Sequence, residues 1–80
     1  MQNDQHYLQN QVLNESRKQK YPVTVILVNG YRMSGKVLSF DRFTLLLEVK
    51  NKQNLIYKHA VSTIIPSENL ELPSEQENSL

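Results

Sequence analysis

The spacing of hydrophobic positions changes once along the chain, at Pro22. Before it, Tyr7, Leu8, Val12 and Leu13 fall roughly on one side of a helical wheel, which predicts a helix from about His6 to Lys20. Arg17, Lys18 and Lys20 crowd its last turn, where cations suit the negative end of the helix dipole. Tyr21 precedes proline and is driven toward extended geometry, so the helix is expected to stop there. The apolar stripe is thin, and such a helix must lie on another layer rather than build a core of its own.

Beyond Pro22 the period becomes two. VTVILVNG places Val23, Val25 and Leu27 on one face and Ile26 and Val28 on the other, as expected of a strand covered on both sides. Asn29-Gly30 follows, and both residues tolerate positive φ, which predicts a tight hairpin. In YRMSGKVLSF, Tyr31, Met33 and Val37 point one way while Arg32, Ser34 and Lys36 point the other, and Gly35 marks a bend or bulge. Asp41-Arg42 makes the next tight connection, with the Asp41 side chain expected to cap the turn. FTLLLEVK reads as a third strand with Phe43, Leu45 and Leu47 in phase, and NKQN as a polar turn. LIYK and AVSTII are two further short strands, separated at Lys58-His59 and stopped by Pro66.

One helix followed by five short strands predicts a mainly β fold, a strongly bent five-stranded antiparallel sheet of the small open-barrel type. We place this domain at residues 6–66, between a flexible N-terminus at 1–5 and an acidic disordered tail at 67–80. A unit of this size buries only about 60% of its unfolded surface and is marginal alone. LIYK and AVSTII are apolar and exposed as edges would invite aggregation. Association through those edges answers both problems, and a closed ring leaves no edge free.

Composition narrows the chemistry. The chain has no cysteine, which excludes disulfides, thiolate catalysis and Cys-ligated metal. Its two histidines, His6 and His59, are too few and too far apart to suggest a metal site. No apolar run reaches the roughly 20 residues that span a bilayer. The polar opening MQNDQHYLQNQ has no signal-peptide pattern, so the cytoplasm is the expected compartment. No phosphate-cradling glycine loop occurs, and His59 beside Lys58 has no paired acid, so an enzyme is not expected.

The net charge of +1 conceals an asymmetry. All nine basic residues lie within 1–65 against Asp4, Glu15, Asp41 and Glu48, a balance of +5, whereas 66–80 carries four glutamates and no cation. A basic body with an acidic tail directs attention to nucleic acid, although a solvated surface with a random tail has the same composition.

Val28-Asn29-Gly30, Gly35, Ser39-Phe40-Asp41-Arg42-Phe43 and above all Tyr57-Lys58-His59-Ala60-Val61-Ser62-Thr63 resemble the Hfq family of bacterial Sm-like RNA chaperones, over about residues 7–67. The resemblance implies a homohexameric ring in which AVSTII pairs with the middle strand of the next protomer. It implies binding of small regulatory RNAs and mRNAs and promotion of their pairing, with no covalent catalysis, cofactor, metal or membrane partner.

On the face around the pore, the family holds uridine-rich RNA, and the matching positions are Gln9, Arg42, Phe43, Tyr57, Lys58 and His59. Splayed bases stack on aromatic rings and bond through their edges while cations hold phosphates, chemistry that suits these side chains. Arg42 departs from the glutamine or asparagine frequent there. On the opposite face relatives bind adenine-rich RNA, at positions matching Thr24, Val25, Ile26, Leu27, Asn29, Gly30, Tyr31, Arg32, Met33, Gln53 and Thr63. Ile26 stands where an aromatic residue commonly stacks on adenine, with Tyr31 as a substitute, and the loop KNKQN is one residue longer than in some relatives, leaving Gln53 or Asn54 as the match.

The family's basic rim, which speeds annealing, corresponds to Asn14, Arg17, Lys18 and Lys20 with Phe40 nearby. Neutralising phosphates on two RNAs at once lowers their mutual repulsion, and six copies of a +5 body carry +30. The acidic tail is positioned in sequence to compete for that patch. The plainer readings are that Phe43 is core, Tyr57 packs at an interface and RKQK is a solvated face. A ring that scaffolds protein partners, with incidental RNA binding, is the alternative function.

Overall fold

The computed structural model describes residues 7–72. His6 and the expected flexible N-terminus lie outside the described residues, as do residues 73–80 of the tail. The chain runs through helix α1 (Tyr7–Gln19), strands β1 (Val23–Leu27), β2 (Arg32–Phe40), β3 (Thr44–Val49) and β4 (Lys52–Tyr57), a 3-10 turn (Lys58–Ala60) and β5 (Val61–Pro66). All pairings are antiparallel and the strand order is β4-β3-β2-β1-β5. The expected helix and bent five-stranded sheet are therefore present.

Gly35 is the corner of the sheet. The first half of β2 pairs with β1, from Ile26↔Arg32 to Val23↔Gly35, and the second half pairs with β3, from Lys36↔Glu48 to Phe40↔Leu45. A Cβ on Gly35 would overlap the carbonyl oxygen of Glu48 and sit 2.8 Å from Glu48 C and 3.0 Å from Val49 Cγ2. Only glycine lets the two halves fold together this tightly. The concave side of the bend holds Val23, Val25, Val37, Leu45, Leu47 and Ile56, closed by Leu13 from the helix. Ser16, fully buried beside Leu13, gives the helix a small residue where it meets the sheet.

The helix ends one residue earlier than a proline stop requires. Lys20 takes a left-handed φ of 62°, Lys20 N donates to Arg17 O and Tyr21 N donates to Ser16 O at 3.0 Å. This is a Schellman cap with lysine in the position that glycine usually holds.

Three expectations need correction. Val28 is 71% exposed, because it leaves β1 to enter the turn, so the second face of that strand is not covered within one chain. The turn closes by Gly30 N donating to Leu27 O at 2.8 Å, and Gly30 alone has positive φ, 91°, while Asn29 Oδ1 accepts from Tyr31 N at 3.0 Å. That is a type I turn followed by a left-handed glycine, not a two-residue turn. Finally, the β3–β4 connection is Lys50-Asn51, with φ of 52° and 69°, rather than NKQN, so Gln53 and Asn54 belong to β4.

The strand order also settles which edges are open. β4 and β5 are the two outer strands, whereas the middle strand β2 is paired on both sides along its length. The middle strand therefore has no free backbone groups for AVSTII of another copy, and β4 is the edge that can receive it.

Candidate nucleic-acid interface

The turn between β2 and β3 is built around one carboxylate. Asp41 Oδ1 accepts hydrogen bonds from Phe43 N at 2.8 Å, Thr44 N at 2.7 Å and Thr44 Oγ1 at 2.7 Å. The Thr44 hydroxyl, then the two backbone amides, hold its pKa below the ordinary value of 3.8, and the charge of Lys58 acts in the same direction. With Asp41 turned inward on its own loop, Arg42 and Phe43 point out. Phe43 is 69% exposed and so is not core, and the Arg42 guanidinium lies 5.7 Å from its ring centre.

The same turn is tied to the segment after β4. Lys58 N donates to Phe43 O at 2.8 Å, and Thr44 pairs with Tyr57 across the β3–β4 ladder. The rings of Tyr57 and His59 stack with centres 5.9 Å apart and planes 26° from parallel. Arg42, Phe43, Tyr57, Lys58 and His59 thus form one contiguous group of rings and cations, an arrangement suited to stacking bases and meeting phosphates.

Two residues at this end differ from expectation. Lys58 is only 4% exposed, with Nζ donating to Asn10 Oδ1 at 2.6 Å and lying 5.2 Å from the Phe40 ring centre. Asn10 was not among the expected site residues, and Phe40, expected at the rim, has its aromatic contact with Lys58 instead. Gln9 turns toward a groove of about 250 Å³ between α1 and β5, lined also by Leu8, Val12 and Val61–Ile64. Its Oε1 is buried there with no hydrogen-bond partner among the described residues.

The second expected set divides by face. Thr24 and Ile26 alternate with the buried Val23 and Val25, so they share the outer face with their partners Ser34, Arg32, Thr63 and Ile65. Thr24 Oγ1 and Ser34 Oγ are 3.0 Å apart. Val25 is fully buried, and Leu27 and Met33 pack against the core, so these three offer backbone rather than side chains. Asn29, Gly30 and Tyr31 cluster at the hairpin, with Tyr31 63% exposed. Gln53 lies on β4, two strands away from β1 in the order, and pairs with Glu48.

The basic group on the helix is held locally. Arg17 donates to Asn14 Oδ1, Lys18 lies 3.8 Å from Glu15, and Lys20 forms the cap. All three cations are exposed. The chain after β5 returns to this helix. Ser67 N donates to Pro22 O at 3.0 Å, and Asn69, Leu70 and Glu71 line a small cavity of about 110 Å³ with Glu15, Gln19 and Tyr21.

Among the described residues, no group of three or more His, Asp or Glu stands together to hold a metal ion, and no helix is long and apolar enough to cross a membrane.

Comparison with known proteins agrees with this architecture. A family model described as "Hfq protein" matches residues 8–71. RNA-binding protein Hfq of Natranaerobius thermophilus is 59% identical over 69 residues, covering 86% of this chain and 82% of that protein. RNA-binding protein Hfq of Leptospira biflexa is 55% identical over 69 residues, with coverage of 86% and 83%. A crystal structure described as the pleiotropic translational regulator Hfq superposes with a TM-score of 0.70 at 36% identity, covering 72% of this chain and 97% of that one. These relatives are named for binding RNA and not for catalysis. With the family model spanning most of its length and relatives above half identity, the chain belongs to the Hfq family.

Proposed function

We propose that this protein is a cytoplasmic RNA chaperone that works as a homohexameric ring. Uridine-rich RNA binds at the end of the sheet carrying Arg42, Phe43, Tyr57, Lys58 and His59, with Gln9 on the adjoining helix. Adenine-rich RNA binds the outer face of β1, β2 and β5, where Thr24, Ile26, Arg32 and Thr63 stand together and Tyr31 supplies the exposed ring. Val25, Leu27, Met33, Asn29 and Gly30 shape that face through the backbone, and Gln53 reaches it from β4. Arg17 and Lys18, with Asn14 and Lys20, screen the phosphates of two strands at once and so hasten pairing of small regulatory RNAs with mRNAs.

The observation that carries this reading is the exposure of Phe43. An unconstrained phenylalanine after two polar residues would turn inward at a cost-free gain of roughly 2 kcal/mol in burial, yet the Asp41 turn holds it 69% exposed beneath a guanidinium. Assembly is supported by two unpaired sheet edges, β4 and β5, on a domain with only seven buried hydrophobic residues in its core.

Fluorescence anisotropy with labelled oligouridine and oligoadenine tests the proposal. Phe43→Ala should weaken oligouridine binding by roughly tenfold, the loss of one stacked base, and leave oligoadenine unaffected. Weak binding of both oligonucleotides by the unaltered protein would instead favour a ring that scaffolds protein partners.

A further inference from the structure

Lys58 is the least exposed cation in the described chain, and its placement needs a cause. Burying an ammonium group is costly unless acceptors surround it. Asn10 Oδ1 accepts from Nζ at 2.6 Å, a short, charge-assisted bond, and the Phe40 ring lies on the cation at 5.2 Å. Lys58 has donors only, so it must take the oxygen of the Asn10 amide. The contact spans 48 positions in sequence, joining the helix to the 3-10 turn whose backbone is already bonded to Phe43 O.

We propose that Asn10 is a positioning residue for RNA binding: it anchors the Lys58 ammonium beside the exposed Phe43 ring and so fixes the distance between the stacking surface and the cation that serves it. An amide does this without adding a negative charge, so the anchor holds Lys58 in place and leaves its full charge to act on phosphate or on a base carbonyl. A carboxylate would hold it equally well and cancel that charge. The inference rests on the assignment of uridine-rich RNA to this end of the sheet.

The test uses the full-length protein with Asn10→Ala and Asn10→Asp, first checked by light scattering and thermal melting against the parent. Oligouridine and oligoadenine affinities are then measured across a salt series. Asn10→Ala should weaken oligouridine binding by roughly tenfold, the worth of one hydrogen bond to a charged group, with oligoadenine unchanged. Asn10→Asp should keep or raise the melting temperature, yet lower oligouridine affinity and reduce the slope of log K against log salt by about 0.7, one neutralised cation on a single strand. Unchanged oligouridine affinity in both variants would overturn the proposal, as would equal losses on both oligonucleotides, which mark a purely structural tie. If the parent protein fails to bind oligouridine, the assignment of this surface falls first. If it binds and Phe43→Ala alone disrupts binding, only the role of Asn10 falls.

Discussion

Gly35→Ala isolates the cost of the sheet's corner. The added Cβ would overlap the backbone oxygen of Glu48 and crowd Glu48 C and Val49 Cγ2 at 2.8 and 3.0 Å. No flexible side chain can swing aside, because the main obstacle is the backbone of β3. Relief requires β3 to move by about an ångström in a close-packed interior, which sets the cost near the upper end for overpacking, about 3 kcal/mol. A core of this size supplies only about 3–5 kcal/mol in total. The variant should therefore sit near the folding threshold at ordinary temperature. Gly30→Ala is the internal control, since nothing lies within 4 Å of its Cβ and only the φ of 91° opposes the change, at about 1 kcal/mol. Urea unfolding of both variants at one fixed protein concentration, followed by circular dichroism, gives the comparison. A midpoint for Gly35→Ala equal to or above that of Gly30→Ala would refute the account of the corner.

Three further outcomes follow from local geometry. Lys50 and Asn51 both hold positive φ in a two-residue turn, so Lys50→Asn with Asn51→Gly should add about 1 kcal/mol, raising the melting temperature by roughly 4–8 °C. The Asp41 carboxyl titrates below its ordinary value, so its ionised form stabilises the fold above about pH 4 and that contribution is lost as pH falls through the depressed pKa. The stability gap between the parent and Asp41→Asn should then shrink on acidification, and a constant gap would contradict the hydrogen-bonded turn. Arg17→Ala with Lys18→Ala should slow annealing of complementary RNAs several-fold in a stopped-flow assay while short-oligonucleotide affinity stays within about twofold, the mark of electrostatic steering. An unaltered annealing rate would remove the rim role.

Much of the architecture was legible because period and chemistry agreed. Val23, Val25, Leu45 and Leu47 alternate on the inward face, Gly35 announced the bend, and Asp41 capped its turn as its short acceptor side chain suggests. The failures have a common origin in residues used against type. Lysine at positions 20 and 50 takes left-handed backbone that sequence reasoning reserves for glycine or asparagine, so the cap and the β3–β4 turn were misplaced. Lys58 is buried, which neither periodicity nor charge signals, because its acceptor Asn10 lies on a different element. Phe43 is in phase with Leu45 and Leu47, yet it precedes β3 and escapes the alternation. Side chains of the hairpin set could not be sorted into inward and outward groups before the register Val25↔Met33 was known.

The two outer strands are neighbours in sequence, parted by three residues, but opposite in the sheet. Each molecule consequently offers one plug and one socket that differ from each other, and a joint of that kind has no built-in limit. Whether successive molecules close on themselves or run on as a fibre depends on the angle between plug and socket. The hinge at residue 35 sets that angle, so a missing methyl group governs copy number.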